Sequence, residues 1–487
     1  MSVRDAGAAG CLRFYTVPTR IVIIGGGPAG YEAALVAAGY GRDKTQVTVV
    51  DSDGIGGACV LFDCVPSKAF IASTGVRTEL RRAEGLGFDI GIDAAKIALS
   101  QINNRAKTLA ASQSADIGTQ LLNNGVTVIG GRAELVDDVA GMAHHRIKVT
   151  SHTGQAGVVT ADVVLIATGA SPRVLPNAVP DGERILTWRQ LYDLAELPEH
   201  LVIVGSGVTG AEFCNAYTEL GVRVTVVASR DQILPHEDSD AAAVLEEVFA
   251  ERGVTLVKNA RADSVVRSAG GVRVNLTDGR VVDGSHALMS IGSVPNTAGL
   301  GLQRVGIELN AGGYIPVDRV SRTPAAGIYA AGDCTGLFPL ASVAAMQGRI
   351  AMYHALGEGV SPIRLRTVAS ATFTRPEIGA VGIPQSAIDD GSVPARTLML
   401  PLNTNARAKM SLLRHGFVKI FCRPATGVVI GGVVVAPIAS ELILPIALAV
   451  QNRITVTDLA QTLSVYPSLS GSIVEAARRL MAHDDLD

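Results

Sequence analysis

Two glycine clusters and one cysteine pair carry most of the chemistry this chain could perform. Gly25, Gly27 and Gly30 form G-x-G-x-x-G directly after the apolar run Ile21–Ile24, at the start of a helical stretch that also contains Pro28 and Ala29. In such a turn the first glycine permits the tight reversal, the second lets a pyrophosphate approach the backbone, and the third lets helix pack on strand. The pyrophosphate then lies on the positive end of the helix. Asp51 closes the next strand, QVTVVD, where a carboxylate can accept hydrogen bonds from ribose hydroxyls. The pattern returns at Gly205, Gly207 and Gly210, with Val208 and Thr209 inside it, but the following strand ends in Ala228, Ser229 and Arg230 instead of an acid. A carboxylate there would repel a 2′-phosphate, whereas serine and arginine can accept one, so NADPH is favoured or at least tolerated beside NADH.

The segment GGACVLFDCVPSK places Cys59 and Cys64 five apart, with Lys68 four further on. On a regular helix such Cα atoms are roughly 8–9 Å apart, and a disulfide needs about 4.4–6.8 Å. Either the chain between them is irregular or the two are not bonded. The nearby sequence offers no further Cys or His ligand, so no metal site is expected. Cys11, Cys214, Cys334 and Cys422 are read as structural cysteines.

These groups must be positioned by more than one core, since 487 residues exceed what a single core supports and suggest two to four domains. Hydrophobic residues make up 48% and charged residues 18%, and the net charge of −3 gives no reason to expect nucleic acid or an anionic membrane as partner. Six cysteines over this length are no secreted disulfide framework, which makes the cytoplasm the expected compartment. Residues 1–17 read as a disordered extension without a signal sequence. Val428–Val450 is long enough to span a bilayer, but Pro437, Glu441 and Pro445 interrupt it. A strand, a turn at Ala436-Pro437 and an apolar helix are expected there, and no membrane span. Both fingerprints sit in βαβ units, which amounts to an internal duplication of architecture. Short strands, VRVNLTDG and YIPVD among them, follow the second unit, and strands such as FVKIFC and VVIGGVVV alternate with helices towards the C-terminus. The partition is a first nucleotide domain (18–170, completed by 293–365), an inserted second one (171–292) and a C-terminal domain (366–487). The fold class is therefore α/β: two Rossmann-like dinucleotide-binding domains plus a C-terminal α+β domain.

Taken together, the motifs resemble the class I flavoprotein disulfide reductases, the family of dihydrolipoamide dehydrogenase and glutathione reductase. The resemblance runs from about residue 20 to the C-terminus. It rests on the Gly25 fingerprint, C-x4-C-x-P-S-K, ATGASP at Ala167–Pro172, the Gly205 fingerprint with Glu212, and IYAAGD at Ile328–Asp333. FTRPEIGAVG at Phe373–Gly382 and ARAK at Ala406–Lys409 mark its interface domain. The resemblance implies FAD and a homodimer. Asp51 would hold the adenosine ribose and Ala133 would lie near the adenine. Gly57-Ala58, Thr168-Gly169 and Asp333 would line the pyrophosphate and ribityl chain. Leu340 and Ala341 would open a helix facing the flavin N1/O2 edge, where reduced flavin carries negative charge. Lys68 would stand near flavin N5, paired with Glu212. Cys64 would be the thiol next to the ring and Cys59 the one that exchanges with a substrate.

The chain departs from that family where disulfide exchange needs a base. The family's H-P-x-x-x-E is replaced by YPSLSG, so Tyr466 stands for the histidine and Gly471 for the glutamate. A phenol of pKa about 10 titrates roughly 3.5 units above imidazole, and losing a general base typically costs about 10²–10⁴ in rate. Asp63 precedes Cys64 where the family commonly has glycine, and a carboxylate there disfavours the attacking thiolate. Phe62 is bulkier than usual, and Gly292-Ser293 stands where Gly-Arg is commoner. The expected activity is NAD(P)H:quinone oxidoreduction, since a quinone can accept electrons without a positioned dithiol base; the motif wording resembles the quinone-reductase branch. The alternatives are a dihydrolipoamide dehydrogenase-like disulfide reductase using Cys59 and Cys64, a soluble transhydrogenase, and a flavin-bearing interaction protein. In the dimer, Tyr466 is expected to reach the partner's flavin pocket.

Overall fold

The computed structural model describes residues 17–89, 96–136 and 144–481. The extension expected at 1–17 lies outside them except for Val17. The chain divides into two compact units, the first made of residues 1–57, 115–169 and 295–362, the second of 58–114, 170–294 and 363–487.

The first unit is built on a seven-stranded sheet, ordered Ile328–Ala330, Val163–Ile166, Thr19–Ile24, Thr45–Asp51, Thr127–Val136, His145–Ser151, Ala156–Ala161. The first five strands pair in parallel and the last three are an antiparallel meander. The parallel strands are continuous apolar runs, as strands covered on both faces must be; Ile21, Val22, Ile23 and Ile24 are all buried. The first fingerprint helix, Pro28–Ala38, starts with proline at its first turn and buries an alanine face (Ala29, Ala33, Ala34, Ala37). Small residues let it lie close to the helix Ala341–Ala355: a Cβ on Gly348 would come 2.1 Å from the Ala29 carbonyl oxygen.

The second unit has a five-stranded parallel sheet, ordered Thr255–Val257, Arg223–Val227, His200–Val204, His286–Met289, Ile185–Leu186. A three-stranded antiparallel sheet (residues 262–284) and a five-stranded antiparallel sheet (residues 369–436) accompany it, the latter covered by helices including Gly471–Leu480. Phe70 on the helix Cys64–Glu84 meets Tyr192, Phe213 and Tyr217 in one aromatic cluster, with ring centroids 5.5–6.3 Å from Phe70. The same apolar core extends to Phe417, Phe421, Val433 and Val435 of the C-terminal sheet.

Two α/β nucleotide units and a C-terminal α+β layer are thus present, in the fold class read from sequence. The stretch Val428–Val450 forms the buried strand Val429–Ala436 and the helices Ala439–Leu442 and Leu444–Asn452, as its prolines and Glu441 imply. Residues 57–84 also have the length and apolarity to cross a bilayer, but they form two helices, Gly57–Leu61 and Cys64–Glu84, with Asp63 at the break. One expected strand is absent. YIPVD (314–318) has no ladder partner, because its ends are engaged in turns: Asn310 N–H donates to the Tyr314 carbonyl and Asp318 N–H to that of Arg322. Only Ile315 behaves like a strand residue, buried and donating to the Cys334 carbonyl at 2.9 Å.

Candidate active site: two fingerprints and a thiol pair

Each fingerprint turn has the geometry its glycines demand. Gly25 and Gly205 both adopt φ +110, and a Cβ on either would come 2.2 Å from the Ala167 carbonyl oxygen or 2.3 Å from that of Ser290. No other residue fits these two positions. Gly27 and Gly207 cap their helices with no side-chain hydrogen bond, at ψ −173 and −172. Around Gly207 a Cβ would meet nothing within 4 Å, and at Gly27 only the Gly57 Cα at 3.9 Å. Space and uncapped helix N–H groups therefore coincide, which is what a dinucleotide pyrophosphate requires. Gly30 and Gly210 close the turns: a Cβ on either would stand 1.8 or 2.1 Å from the carbonyl oxygen of Gly25 or Gly205.

In the first unit, Asp51 is already half committed. Its carboxylate accepts the N–H groups of Gly26, Asp53 and Gly54 at 2.5, 2.8 and 2.6 Å. A carboxylate has about four acceptor sites, so one is left for a ribose hydroxyl while the other three hold the loop. Thr168 and Gly169 are held by Asn296, which donates to the Thr168 carbonyl at 2.9 Å, accepts from the Thr168 hydroxyl through its own carbonyl at 2.7 Å, and bonds the Gly169 carbonyl through its N–H at 3.0 Å. Asp333 opens a short 3-10 turn behind Gly332, whose N–H donates to Gln347 at 2.9 Å. Leu340 precedes the helix Ala341–Ala355 and leaves its first N–H groups without a side-chain cap. Ala133 lies buried on Thr127–Val136 opposite Val149.

In the second unit the helix breaks between Leu61 and Cys64. The spacing problem posed by Cys59 and Cys64 is resolved on both counts: the turn is irregular, and the two are thiols joined by a hydrogen bond. That bond, then burial, then the charges of Cys59 and Asp63 push the Cys64 thiol well up, with Lys68 pulling the other way. Lys68 Nζ lies 2.9 Å from Glu212 Oε2, and the Glu212 side chain is only 4% exposed. The other carboxylate oxygen accepts the Phe373 N–H at 3.0 Å, and the Phe373 ring centroid is 4.9 Å from Lys68 Nζ. Burial lowers the Lys68 ammonium, but Glu212 and Cys64 more than reverse this and the net shift is upward, so the cation is secure. Ala58 belongs to this unit too, whereas Gly57 belongs to the first.

Glu212 is the first of three residues spaced along one face of the second fingerprint helix, Val208–Glu219. Asn215 Oδ1 accepts the Arg375 N–H at 2.9 Å and the Arg252 guanidinium at 2.8 Å. Glu219, 1% exposed, accepts from Thr74 at 2.8 Å and pairs with Arg375 at 3.2 Å. The expected motif FTRPE is thus a clasp on that helix. Phe373, Asn296, Gln347 and Arg189, which lies 4.6 Å from the Phe62 ring centroid, were missed from sequence; only the FTRPE match hinted at the first. Ser229 and Arg230 are exposed beyond the strand Arg223–Val227, and Gly292 adopts φ +90. Arg230→Glu is expected to raise the KM for NADPH about tenfold or more, with little change for NADH, because a charged hydrogen bond contributes about 1.5–3 kcal/mol. Steady-state kinetics with both donors checks this. Tyr466 is 85% exposed, beside Leu463 at 98% and Val465 at 77%. Gly471 begins the helix Gly471–Leu480 and supplies no carboxylate. Among the described residues the three-ligand grouping with metal-like spacing is Glu247, Glu251 and His415, away from the thiols in sequence and largely exposed.

Comparison with known proteins fits this layout. Residues 19–348 match the pyridine nucleotide-disulphide oxidoreductase family and residues 368–477 its dimerisation domain. The chain is 76% identical over 469 residues, covering 96% of it and 95% of the relative, to a Mycobacterium tuberculosis protein named NAD(P)H dehydrogenase (quinone). It is 32% identical over 456 residues, 94% of it and 95% of the relative, to a Chlamydia pneumoniae dihydrolipoyl dehydrogenase. The crystal structure of LpdA from Mycobacterium tuberculosis superposes with a TM-score of 0.91 at 76% identity, over 95% of this chain and 100% of that one. With both fingerprints, the thiol pair and the C-terminal layer in the family's order, the chain belongs to the pyridine nucleotide-disulphide oxidoreductases.

Proposed function

We propose that the protein is an FAD-dependent NAD(P)H:quinone oxidoreductase. The observation that carries this reading is a contrast between the hydride-side pair and the residues that would serve disulfide exchange. The Lys68–Glu212 pair is intact and doubly braced by Phe373, while Cys64 is held as a thiol and Tyr466 and Gly471 replace the exchange base. The name of the 76% identical relative supports it.

FAD, when bound, supplies the two-electron carrier between nicotinamide and acceptor. The chain's own residues bind and orient. The N–H groups of Gly27, Ala29 and Gly30, with Pro28 between them presetting the turn, and Asp51 hold the FAD pyrophosphate and ribose, with Gly57, Ala58, Ala133, Thr168, Gly169 and Asp333 along it. Leu340 and Ala341 present helix N–H groups that favour negative charge. Gly205–Gly210 take the nicotinamide dinucleotide, with Ser229 and Arg230 at its ribose and Gly292 nearby. Lys68, fixed by Glu212, holds positive charge at the flavin ring, where preorganised charge costs no reorganisation during reaction. Proton uptake by the quinone needs no positioned dithiol base. In this reading the boundaries 18–170, 171–292, 293–365 and 366–487 delimit the functional domains. The protein is a cytoplasmic homodimer, with exposed Tyr466 reaching the partner's flavin pocket.

The test is turnover with a simple benzoquinone. Cys59→Ser is expected to retain at least half of wild-type quinone turnover, and loss of turnover in that variant overturns the reading. The second reading, a disulfide reductase, is favoured by the intact thiol pair alone. It predicts turnover with dihydrolipoamide or a small disulfide comparable to that with a quinone.

A further inference from the structure

The loop that carries Ser229 and Arg230 is tied down at more points than its exposure suggests. It runs from the strand Arg223–Val227 to the helix Ser239–Glu251, and both of these side chains are exposed. Its start is stitched to the chain that follows the neighbouring strand, Thr255–Val257. Ala228 N–H donates to the Val257 carbonyl at 2.9 Å, Ala260 N–H to that of Ala228 at 2.9 Å, and Asn259 N–H to that of Arg230 at 3.0 Å. Its end is stitched to the second fingerprint turn, where Leu234 N–H donates to the Ser206 carbonyl at 2.7 Å. Ile233 and Leu234 are each 1% exposed and share a core with Leu245 and Phe249 of the helix.

Two residues in these segments hold a left-handed backbone without being glycine, Leu234 at φ 50 and Asn259 at φ 52. Such conformations persist when the surroundings hold them. Glu246, on the helix Ser239–Glu251, grips the residue before each of them. Its Oε1 accepts the Ile233 N–H at 3.0 Å, and its Oε2 pairs with the Lys258 ammonium. The Glu246 side chain is only 19% exposed, so this bracket is partly shielded from water. One carboxylate therefore fixes both chains that flank Arg230.

We propose that Glu246 is a positioning residue that sets the Ser229–Arg230 loop for a nucleotide 2′-phosphate and so makes the site prefer NADP(H) to NAD(H). The proposal rests on the reading that these two residues stand at the ribose of the nicotinamide nucleotide. Every loop or long side chain that must be ordered on binding subtracts from affinity, so a phosphate site gains from being arranged beforehand. Arg230 is held at its own carbonyl by Asn259, and the Asn259 segment is held through Lys258 by Glu246. The pyrophosphate turn does not depend on this bracket. Gly205, Gly207 and Gly210 build it, and the Leu234 N–H ties it to the loop directly. Loosening the bracket therefore penalises the nucleotide that carries the 2′-phosphate.

Titration calorimetry of the oxidised holoenzyme with NADP+ and with NAD+ tests this without any quinone. Glu246→Ala is expected to weaken NADP+ binding about three- to tenfold, the effect of one or two more groups to be ordered, and to leave NAD+ within about twofold. Plain charge attraction predicts the opposite sign, because deleting the carboxylate leaves Lys258 uncompensated and favours a phosphate. NADP+ binding equal to or tighter than that of the wild type overturns the proposal. So does equal weakening of both nucleotides, which marks a residue that serves only the fold. If Glu246→Ala does not fold, Glu246→Gln keeps an acceptor for Ile233, loses the pair with Lys258, and is expected to show the same discrimination. Arg230→Gln separates the two levels of the argument. Unchanged NADP+ binding in that variant removes Ser229 and Arg230 from the ribose, and the proposal with them. Weakened NADP+ binding there, beside unchanged binding in the Glu246 variant, overturns the proposal alone.

Discussion

Lys68→Met is expected to lower quinone reduction driven by NADPH by about 10²–10³-fold, the usual cost of removing one preorganised electrostatic contact from an active site. Methionine keeps the length and apolar stem of lysine and deletes the charge. Among the described residues, Glu212, 4% exposed, then keeps the Phe373 N–H at 3.0 Å as its hydrogen-bond partner. A buried carboxylate without its cation is costly, so the site both loses positive charge and gains an uncompensated negative one. The loss should fall on kcat and leave the KM for NADPH nearly unchanged, since the nucleotide is held by the Gly205–Gly210 turn. Lys68→Arg keeps the charge and should lose less, although the guanidinium is planar and sits differently over Phe373. Stopped-flow reduction by NADPH separates the hydride step from the later transfer. A Lys68→Met enzyme within threefold of wild type would remove this pair from the mechanism.

The largest effect on stability is expected at Lys419. This side chain is 1% exposed on the strand Phe417–Cys422, and its ammonium lies 2.7–2.8 Å from both oxygens of Asp238, itself 3% exposed, and 2.5 Å from Asp240. Asp238 also caps the helix Ser239–Glu251. The pair therefore ties the nucleotide sheet's helix to the C-terminal sheet inside the second unit. Lys419→Met should destabilise that unit by about 3–5 kcal/mol, because one partner of a buried ion pair is left unpaired. Adding Asp238→Asn should recover much of the loss: asparagine still caps, and removing both charges avoids the unpaired one. The urea midpoint of the single and double variants checks this. A double variant less stable than Lys419→Met alone would contradict the account.

How much was legible beforehand depends on how far each feature reaches along the chain. The fingerprints were readable because their chemistry is local: a turn at φ +110 that only glycine tolerates, followed within a few residues by a helix N-terminus. The interrupted apolar stretch at Val428–Val450 was readable for the same reason, since prolines and a buried-sheet pattern act over one or two turns. YIPVD misled because apolar alternation signals burial of Ile315 but not the ladder partner a strand needs, and its neighbours' hydrogen bonds are consumed by turns. Phe373, which holds Glu212 from 161 positions away, left no local mark of that contact. Nor did Lys419, 181 positions from Asp238.

The opening residues show the same division. Two dinucleotide turns and a cysteine pair follow from residue types and short spacings alone, since backbone conformation and side-chain chemistry are properties of a few neighbouring residues; the loss of the pair's base follows from the family resemblance. The state of the pair does not. That Cys59 and Cys64 meet as thiols across a broken helix was decided by tertiary structure. So were the braced Lys68–Glu212 pair and an aspartate that leaves uncapped the helix it precedes. Charges act through space, and only the folded chain sets which ones are near enough to matter.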